Sequence, residues 1–537
     1  MRRWNKDSLS YCGLVFQMLC SVVMLTLFVS PSFAEAEGEA DVKVDSNKVF
    51  MDLISERAKK LAEGEFAVPV NHIPDALLDM NYQQYRAINF KAEHALWRDQ
   101  SMFELQFFHL GFLYRQPVTL REVSADGVNK RVEFLSEQFD YRNKAQSLKE
   151  AAEGNIGFAG FRVHFPLNSE QVKDEVLVFQ GASYFRLVGP GQVYGISARG
   201  LAVDTALGSG EEFPFFRDFW LMKPEPGAAQ LTFYALLDSP SVAGAYRFTL
   251  TPGVNTELEV ETHLYPRKEI EKLGIAPLTS MFHHGENSSR FFDDFRPEVH
   301  DSDGLLMQTS QQEWIWRPLV NPYSLRVVSL SDTNPRGFGL VQRDRDFDNY
   351  LDVEAKYNAR PSFWVKPLND WGSGRVELVE IPTESETNDN IVAYWVPQEK
   401  IEAGKKYTFQ YRLQSFGGRL PEQNLAQVVR TRVGWSALPG TENPPPRKER
   451  QFIVDFADAE FKNLPTGISL EPQLQLSSGK VKDLTVTALP NPGQWRVAFK
   501  LIPENDDTVD MRLFLTLHNQ RLTEVWNYVW SANAIRE

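Results

Sequence analysis

Cysteine is almost missing from this chain of 537 residues, and the two that occur, Cys12 and Cys20, both fall near its start. Beyond them no disulfide, cysteine-ligated zinc or thiol nucleophile is possible, so any chemistry must come from Asp, Glu, His, Ser, Tyr or Lys. Long apolar runs are equally scarce. The one that occurs, Leu14 to Val29, has 16 residues, short of the roughly 20 that cross a bilayer as a helix, and no membrane insertion of the remaining chain is expected. A basic excess is lacking too: 57 Lys and Arg stand against 71 Asp and Glu, a net charge of −14. Nucleic acid and anionic membrane surfaces are poor partners for such a chain, because both are bound by neutralising phosphates with Lys and Arg. There is no internal repeat and no low-complexity tract.

The residues at the start read as an export signal. Arg2, Arg3 and Lys6 precede the apolar run, and Ser32-Phe33-Ala34 forms a small-x-small cleavage site before Glu35. The expectation is a signal peptide over 1–34 and delivery to the periplasm by the general route, since Trp4-Asn5-Lys6 adds little to a twin-arginine reading. Tyr11 and Leu19 stand where a lipid-anchored cysteine needs a small residue before it. Loss of the leader removes three basic residues and one acidic residue, leaving 54 against 70 and a net charge of −16. A neutral or weakly charged substrate fits that surface.

One stretch, 49–64, has helical spacing, with Phe50, Leu53, Ile54, Ala58 and Leu61 on one face. Most of the chain beyond it consists of short apolar or alternating runs, such as Phe161 to Phe165, Leu231 to Leu236 and Leu258 to Leu264. Turn signals such as Gly189-Pro190-Gly191 and Pro252-Gly253 punctuate them. Many short strands at this spacing predict a mainly β chain built on a large β-sandwich rather than βαβ units. Residues 437–450, with three consecutive prolines and flanking charges, read as a linker. The roughly 90 residues beyond it carry their own strand pattern at close to immunoglobulin size. Strands near Lys406 to Leu413 or Gln427 to Val433 are candidates to join them. The expected domains are 35–420 and 421–537.

The most informative segment runs from Glu384 to Trp395, where a polar, acid-rich loop enters an apolar run beginning at Ile391. Glu386 and Asp389 thus sit at the mouth of a strand, where a rigid scaffold can hold a carboxylate beside a cleft; an ordinary polar turn has the same pattern. Trp364, Trp371, Tyr394 and Trp395 are residue types that stack on sugar rings. Trp314 and Trp316 share one face of a strand, either as a sugar platform or as a packed wall. Arg343 lies in an alternating-charge segment that reads as a solvated loop or the lining of a polyhydroxyl cleft. The pair His283-His284 points to opposite faces of a strand and lacks metal-ligand spacing, so no metal is expected. Ser197 is not in a nucleophile elbow.

Several blocks carry a resemblance. Gly181-Ala-Ser-Tyr-Phe-Arg186, Gly191 to Ala206, Tyr234 to Pro240, Gly274 to Phe282, Arg296-Pro-Glu-Val-His-Asp-Ser302, Glu313 to Pro318 and Glu386 to Trp395 together resemble the G/D family of periplasmic glucans biosynthesis proteins, the G branch more closely. The resemblance spans nearly all of the chain beyond the leader. It implies a large N-terminal galactose-mutarotase-like β-sandwich, a C-terminal immunoglobulin-like β-sandwich domain, action on linear β-1,2-glucan, and no cofactor. By motif it places a general acid at Asp389 and a general base at Asp301, as in inverting endo-β-1,2-glucanases, with Tyr357 and Thr387 in a proton relay. Such chemistry pairs one protonated and one ionised carboxyl group about 6.5–9.5 Å apart. Glu386 is expected to support Asp389 with its charge. Trp314, Trp316, Trp364, Trp395, Arg343 and His300 are the candidate substrate contacts. A transglycosylase, or a non-catalytic factor that takes glucan from the membrane synthase toward its branching machinery, remains open.

Overall fold

The computed structural model describes residues 46–532, apart from 70–72, 289–291, 441, 459 and 466; the expected signal over 1–34 lies outside the described residues. Alternation of apolar and polar residues along the strands builds two extended sheets that close on a shared core. The first follows the spatial order Glu104–Phe108, Gly160–Phe165, Asp174–Gln180, Tyr184–Leu187, Ser197–Arg199, Leu273–Ser280, Ile391–Pro397, Ser373–Glu380 and Arg326–Thr333. The second contains the meander Phe215–Met222, Leu231–Asp238, Val242–Thr251 and Glu257–Pro266, which continues into Tyr407–Phe416. Phenylalanines join the two faces: Phe161 and Phe179 of the first meet Phe219 and Phe233 of the second, with ring centroids 5.0–5.8 Å apart. Edge-on aromatic packing of this kind adds to the burial energy itself.

The helix Ser46–Glu63 lies on the outer face of the meander. Met51, Ile54 and Ala58 are buried against Trp220, Tyr234, Ala245 and Tyr265, while Leu53 is exposed. The spacing therefore predicted the helix, but its buried stripe is centred nearer Met51 than Leu53.

The C-terminal strands reproduce an immunoglobulin arrangement. Taken in chain order and setting aside the two-residue strand Gln520–Arg521, the first, second, fifth and fourth (Gln427–Trp435, Arg450–Ala457, Gln494–Ile502, Lys480–Ala488) form one sheet, and the third, sixth and seventh (Glu471–Leu476, Val509–Leu517, Val525–Trp530) form the other. This is the ABED and CFG division of constant-type domains. A second core fills the space between, including Phe452, Phe499, Met511 and Trp526. The strand Val525–Trp530 also pairs in parallel with Trp314–Pro318, matching Ile315 with Val525 and Trp316 with Trp526. The smaller sandwich thereby shares a continuous sheet with the large one. The expected boundary after residue 420 falls between the strands Tyr407–Phe416 and Gln427–Trp435.

One expectation is corrected here. Residues 437–450 do not link domains: Trp435 pairs with Arg450, so the proline-rich segment is the loop of a hairpin. It folds back on its own strand, with the Trp435 indole N–H donating to the Pro445 carbonyl at 3.1 Å and the Arg447 guanidinium 3.9 Å from the Trp435 ring centre.

Candidate functional site

The loop 381–390 connects the strands Ser373–Glu380 and Ile391–Pro397 of the first sheet. Two asparagines fasten it. Buried Asn390 accepts the Phe282 N–H at 2.8 Å and donates to the carbonyls of Phe282 and Ile381 at 3.1 and 3.0 Å. At the other end, Asn321 accepts the Thr383 N–H at 3.0 Å and donates to the carbonyls of Thr383 and His283. Phe282 pairs in turn with His300, and the Asp301 N–H donates to the Met281 carbonyl at 2.8 Å. The residue after Asp389 and the residue before Asp301 are thus tied to the same short strand, which brings two distant parts of the chain together.

Asp389 faces a cleft of about 670 Å³ lined by Phe108, Tyr114, Tyr184, Arg186 and Tyr194 among others. Its carboxylate is 3.9 Å from the Arg186 guanidinium and about one third exposed. Tyr184 and Arg186 alternate on one strand and so present the same face. Asp301 is buried and ion-paired with Arg360. Burial pushes its carboxyl above the ordinary value; Arg360 and Arg186 oppose that rise, and the charge of Asp389 adds to it. The two acids therefore lie within electrostatic reach of each other.

A chain of polar contacts continues from Asp301. The Arg360 guanidinium lies 4.2 Å from the centre of the Tyr357 ring, and the Tyr357 hydroxyl donates to Glu386 at 2.7 Å. Burial, then the nearby Glu386 carboxylate, raise the Tyr357 hydroxyl above its usual value. Glu386 also accepts from Arg296 at 2.8 Å. Burial alone would raise Glu386, but Arg296 and Tyr357 hold it below the ordinary value. Its charge is therefore engaged by a cation rather than directed at Asp389, and the positive group beside Asp389 is Arg186. Thr387 is exposed, with its hydroxyl 2.8 Å from that of Ser385.

A family model described as "Periplasmic glucan biosynthesis protein, MdoG" matches residues 50–530. The chain belongs to the MdoG family. A relative, glucans biosynthesis protein G of Ralstonia nicotianae, is 46% identical over 484 residues, covering 89% of this chain and 95% of its own. Among solved structures, the Slr1438 protein from Synechocystis sp. PCC 6803 overlaps 65% of this chain and all of its own at a TM-score of 0.15 and 9% identity, values that carry no argument.

Within this MdoG-family chain, several expected sugar contacts occupy other places. Trp314, Trp316 and Trp364 are buried in the core shared with the smaller sandwich, and Trp395 is fully buried in the main core. Trp314 and Trp316 do share a face, with Ile315 on the other; that face is a packed wall, because the C-terminal strands cover it. Trp371 and Tyr394 are buried as well. Arg343 stacks 3.6 Å from the Trp316 ring centre and pairs with Glu524, so it clamps the two sandwiches while also lining a small pocket with His300 and Trp316. His300 is enclosed, with Nε2 2.8 Å from Glu298 and Nδ1 2.9 Å from Gln342. Burial would lower its pKa, and Glu298 raises it above the ordinary value. Among the described residues no group of three or more His, Asp or Glu side chains is arranged to hold a metal. Arg186, Arg296 and Arg360 were overlooked as site residues, although the first two stand inside the blocks that carried the resemblance. No local pattern distinguishes an arginine that holds a carboxylate from one that is solvated.

Proposed function

We propose that the protein acts in the periplasm on linear β-1,2-glucan, as an inverting endo-β-1,2-glucanase of glucan biosynthesis, without a cofactor. Membership of the MdoG family supports the glucan role. One observation supports the hydrolytic step: Asp389 lines the cleft, and Asp301, buried on Arg360, lies near enough for the charge of Asp389 to act on it. Asp389 donates a proton to the leaving glycosidic oxygen. Asp301 takes up the proton of the attacking water, through Tyr357 or Thr387 and substrate hydroxyls, and Arg360 favours the ionised form this requires. The tyrosines of the cleft supply faces for sugar rings and hydroxyls for sugar oxygens. The membrane synthase and the branching machinery are the proposed sources and recipients of the chain.

The test is incubation of the purified protein with linear β-1,2-glucan, reading product length and anomeric form. New reducing ends of inverted configuration are expected, and Asp389→Asn and Asp301→Asn should each lower the rate by roughly 10²–10⁴-fold while the protein stays folded. Transfer products would point to a transglycosylase. Tight binding without cleavage would leave an assembly factor.

A further inference from the structure

Arg296 meets three carboxylates from three segments. It donates to Asp294 at 2.7 and 3.0 Å, to Asp352 at 2.8 Å and to Glu386 at 2.8 Å. Its side chain is only 12% exposed. One cation is shared by three anions, and its pairing holds all three carboxyls below their ordinary values. Its geometry serves a second purpose. Asp352 is itself fixed, accepting the N–H groups of Glu354 and Ala355 at 2.9 and 2.7 Å. The Ala355 carbonyl accepts from Arg360, which reaches Asp301. Glu386 carries the Tyr357 hydroxyl and belongs to the loop of Asp389. The guanidinium therefore stands where the segments bearing both acids are braced against each other, and its planar fork can span several acceptors as an ammonium cannot.

We propose that Arg296 is a positioning residue of the cleft: it holds the Glu386 carboxylate in place as the acceptor of the Tyr357 hydroxyl, and so aligns the proton path between Asp301 and the loop of Asp389. This rests on the glucan-cleaving reading above. The groups facing Glu386 are Arg296 and Tyr357, which hold it ionised, and Asp294, whose charge opposes them; Asp352 competes for the same guanidinium nitrogen. Without Arg296, only the Tyr357 hydrogen bond is left to oppose burial and Asp294. Glu386 then holds its proton to higher pH, and its neutral form accepts from Tyr357 only through the carbonyl oxygen, a weaker acceptor than the carboxylate.

The experiment compares Arg296→Met and Arg296→Lys with the unaltered chain, following the Glu386 carboxyl by NMR, with Glu386→Gln to assign the signal, and measuring cleavage of linear β-1,2-glucan across pH. Arg296→Met is expected to move the Glu386 titration upward, to shift the acid limb of kcat/KM the same way, and to lower kcat by about 100-fold with KM little changed, the size of loss that a small misplacement causes. Arg296→Lys keeps the charge and serves if the methionine variant does not fold. It should leave the titration close to that of the unaltered chain while kcat still falls. The pair Arg296→Met with Glu386→Gln should be no slower than Glu386→Gln alone. An unmoved Glu386 titration in the methionine variant, full rate in the lysine variant, or losses that multiply would overturn the proposal. If the unaltered protein cleaves no glucan, the functional reading fails, while the NMR titration still decides whether Arg296 governs Glu386.

Discussion

Asp301 and Asp389 illustrate how neighbours, more than residue type, decide what a carboxyl group can do. Both are aspartates in polar loops, yet one is buried beneath Arg360 and the other opens to the cleft beside Arg186. Burial favours the neutral form of Asp301, and Arg360 works against it. Arg360→Met should therefore raise the Asp301 pKa further. Activity that depends on ionised Asp301 then declines at a higher pH on the acid side. On that falling limb, kcat/KM at a fixed pH drops by about tenfold if the limb moves up by one pH unit. A pH–rate profile of the variant measures this; an unchanged acid limb would remove Asp301 from the role of base. The motif blocks pointed to both aspartates. They did not indicate which arginine accompanies each, because that depends on side chains arriving from other elements.

At the scale of elements, the hairpin loop 381–390 depends on side-chain amides that stand in for sheet pairing. Asn390 meets three backbone groups of Phe282 and Ile381 in a buried position. Asn390→Ala leaves those groups unsatisfied, each at roughly 1–3 kcal/mol if no water replaces the amide. The expected outcome is a lower denaturation midpoint together with a loss of activity at least as large as that of a loop misplaced by about an ångström, measured by urea unfolding and glucan cleavage on the same preparation. The strand after the loop was legible from Ile391 to Trp395 as an apolar, β-favouring run. The role of Asn390 was not, because an Asn before a strand more often closes a turn. The prolines at 444–446 suit a linker and a hairpin loop alike, because stiffness and charge are common to both, and only the pairing of Trp435 with Arg450 separates them.

For the whole molecule, the junction between the sandwiches is polar and charged as well as apolar. Glu524, fully buried, accepts from Arg343, Gln423 and the Val428 N–H. Nearby, Glu286 of the large sandwich accepts the Thr431 N–H at 2.6 Å and pairs with Arg430 and Arg432 of the smaller one. Burial and the charge of Glu298 nevertheless push Glu286 up to about 7, against the pull of the two arginines. A carboxyl raised above its unfolded value of 4.5 binds its proton more tightly in the folded state. Its contribution to stability is thus complete below 4.5 and is lost as pH rises toward 7. Glu286→Gln, which cannot ionise, should flatten that part of the stability curve. Urea midpoints of both proteins between pH 4.5 and 7 test it; parallel curves would show that Glu286 does not titrate in this window.

The sequence by itself determined the strand-rich character, the position of the N-terminal helix, the export signal as an expectation and the motifs that carry two aspartates. Each is written in local periodicity, composition or contiguous blocks. Only the tertiary structure decided that Val525–Trp530 joins the large sheet beside Trp314–Pro318, and that the core of the smaller sandwich buries Trp314, Trp316 and Trp364. It alone decided that Arg343 clamps the sandwiches, and that Arg186, Arg296 and Arg360 stand around the acids. The physical reason is that side-chain alternation tells which residues share a face, while what covers that face, and which charge meets which, depends on pairings between residues far apart in the chain.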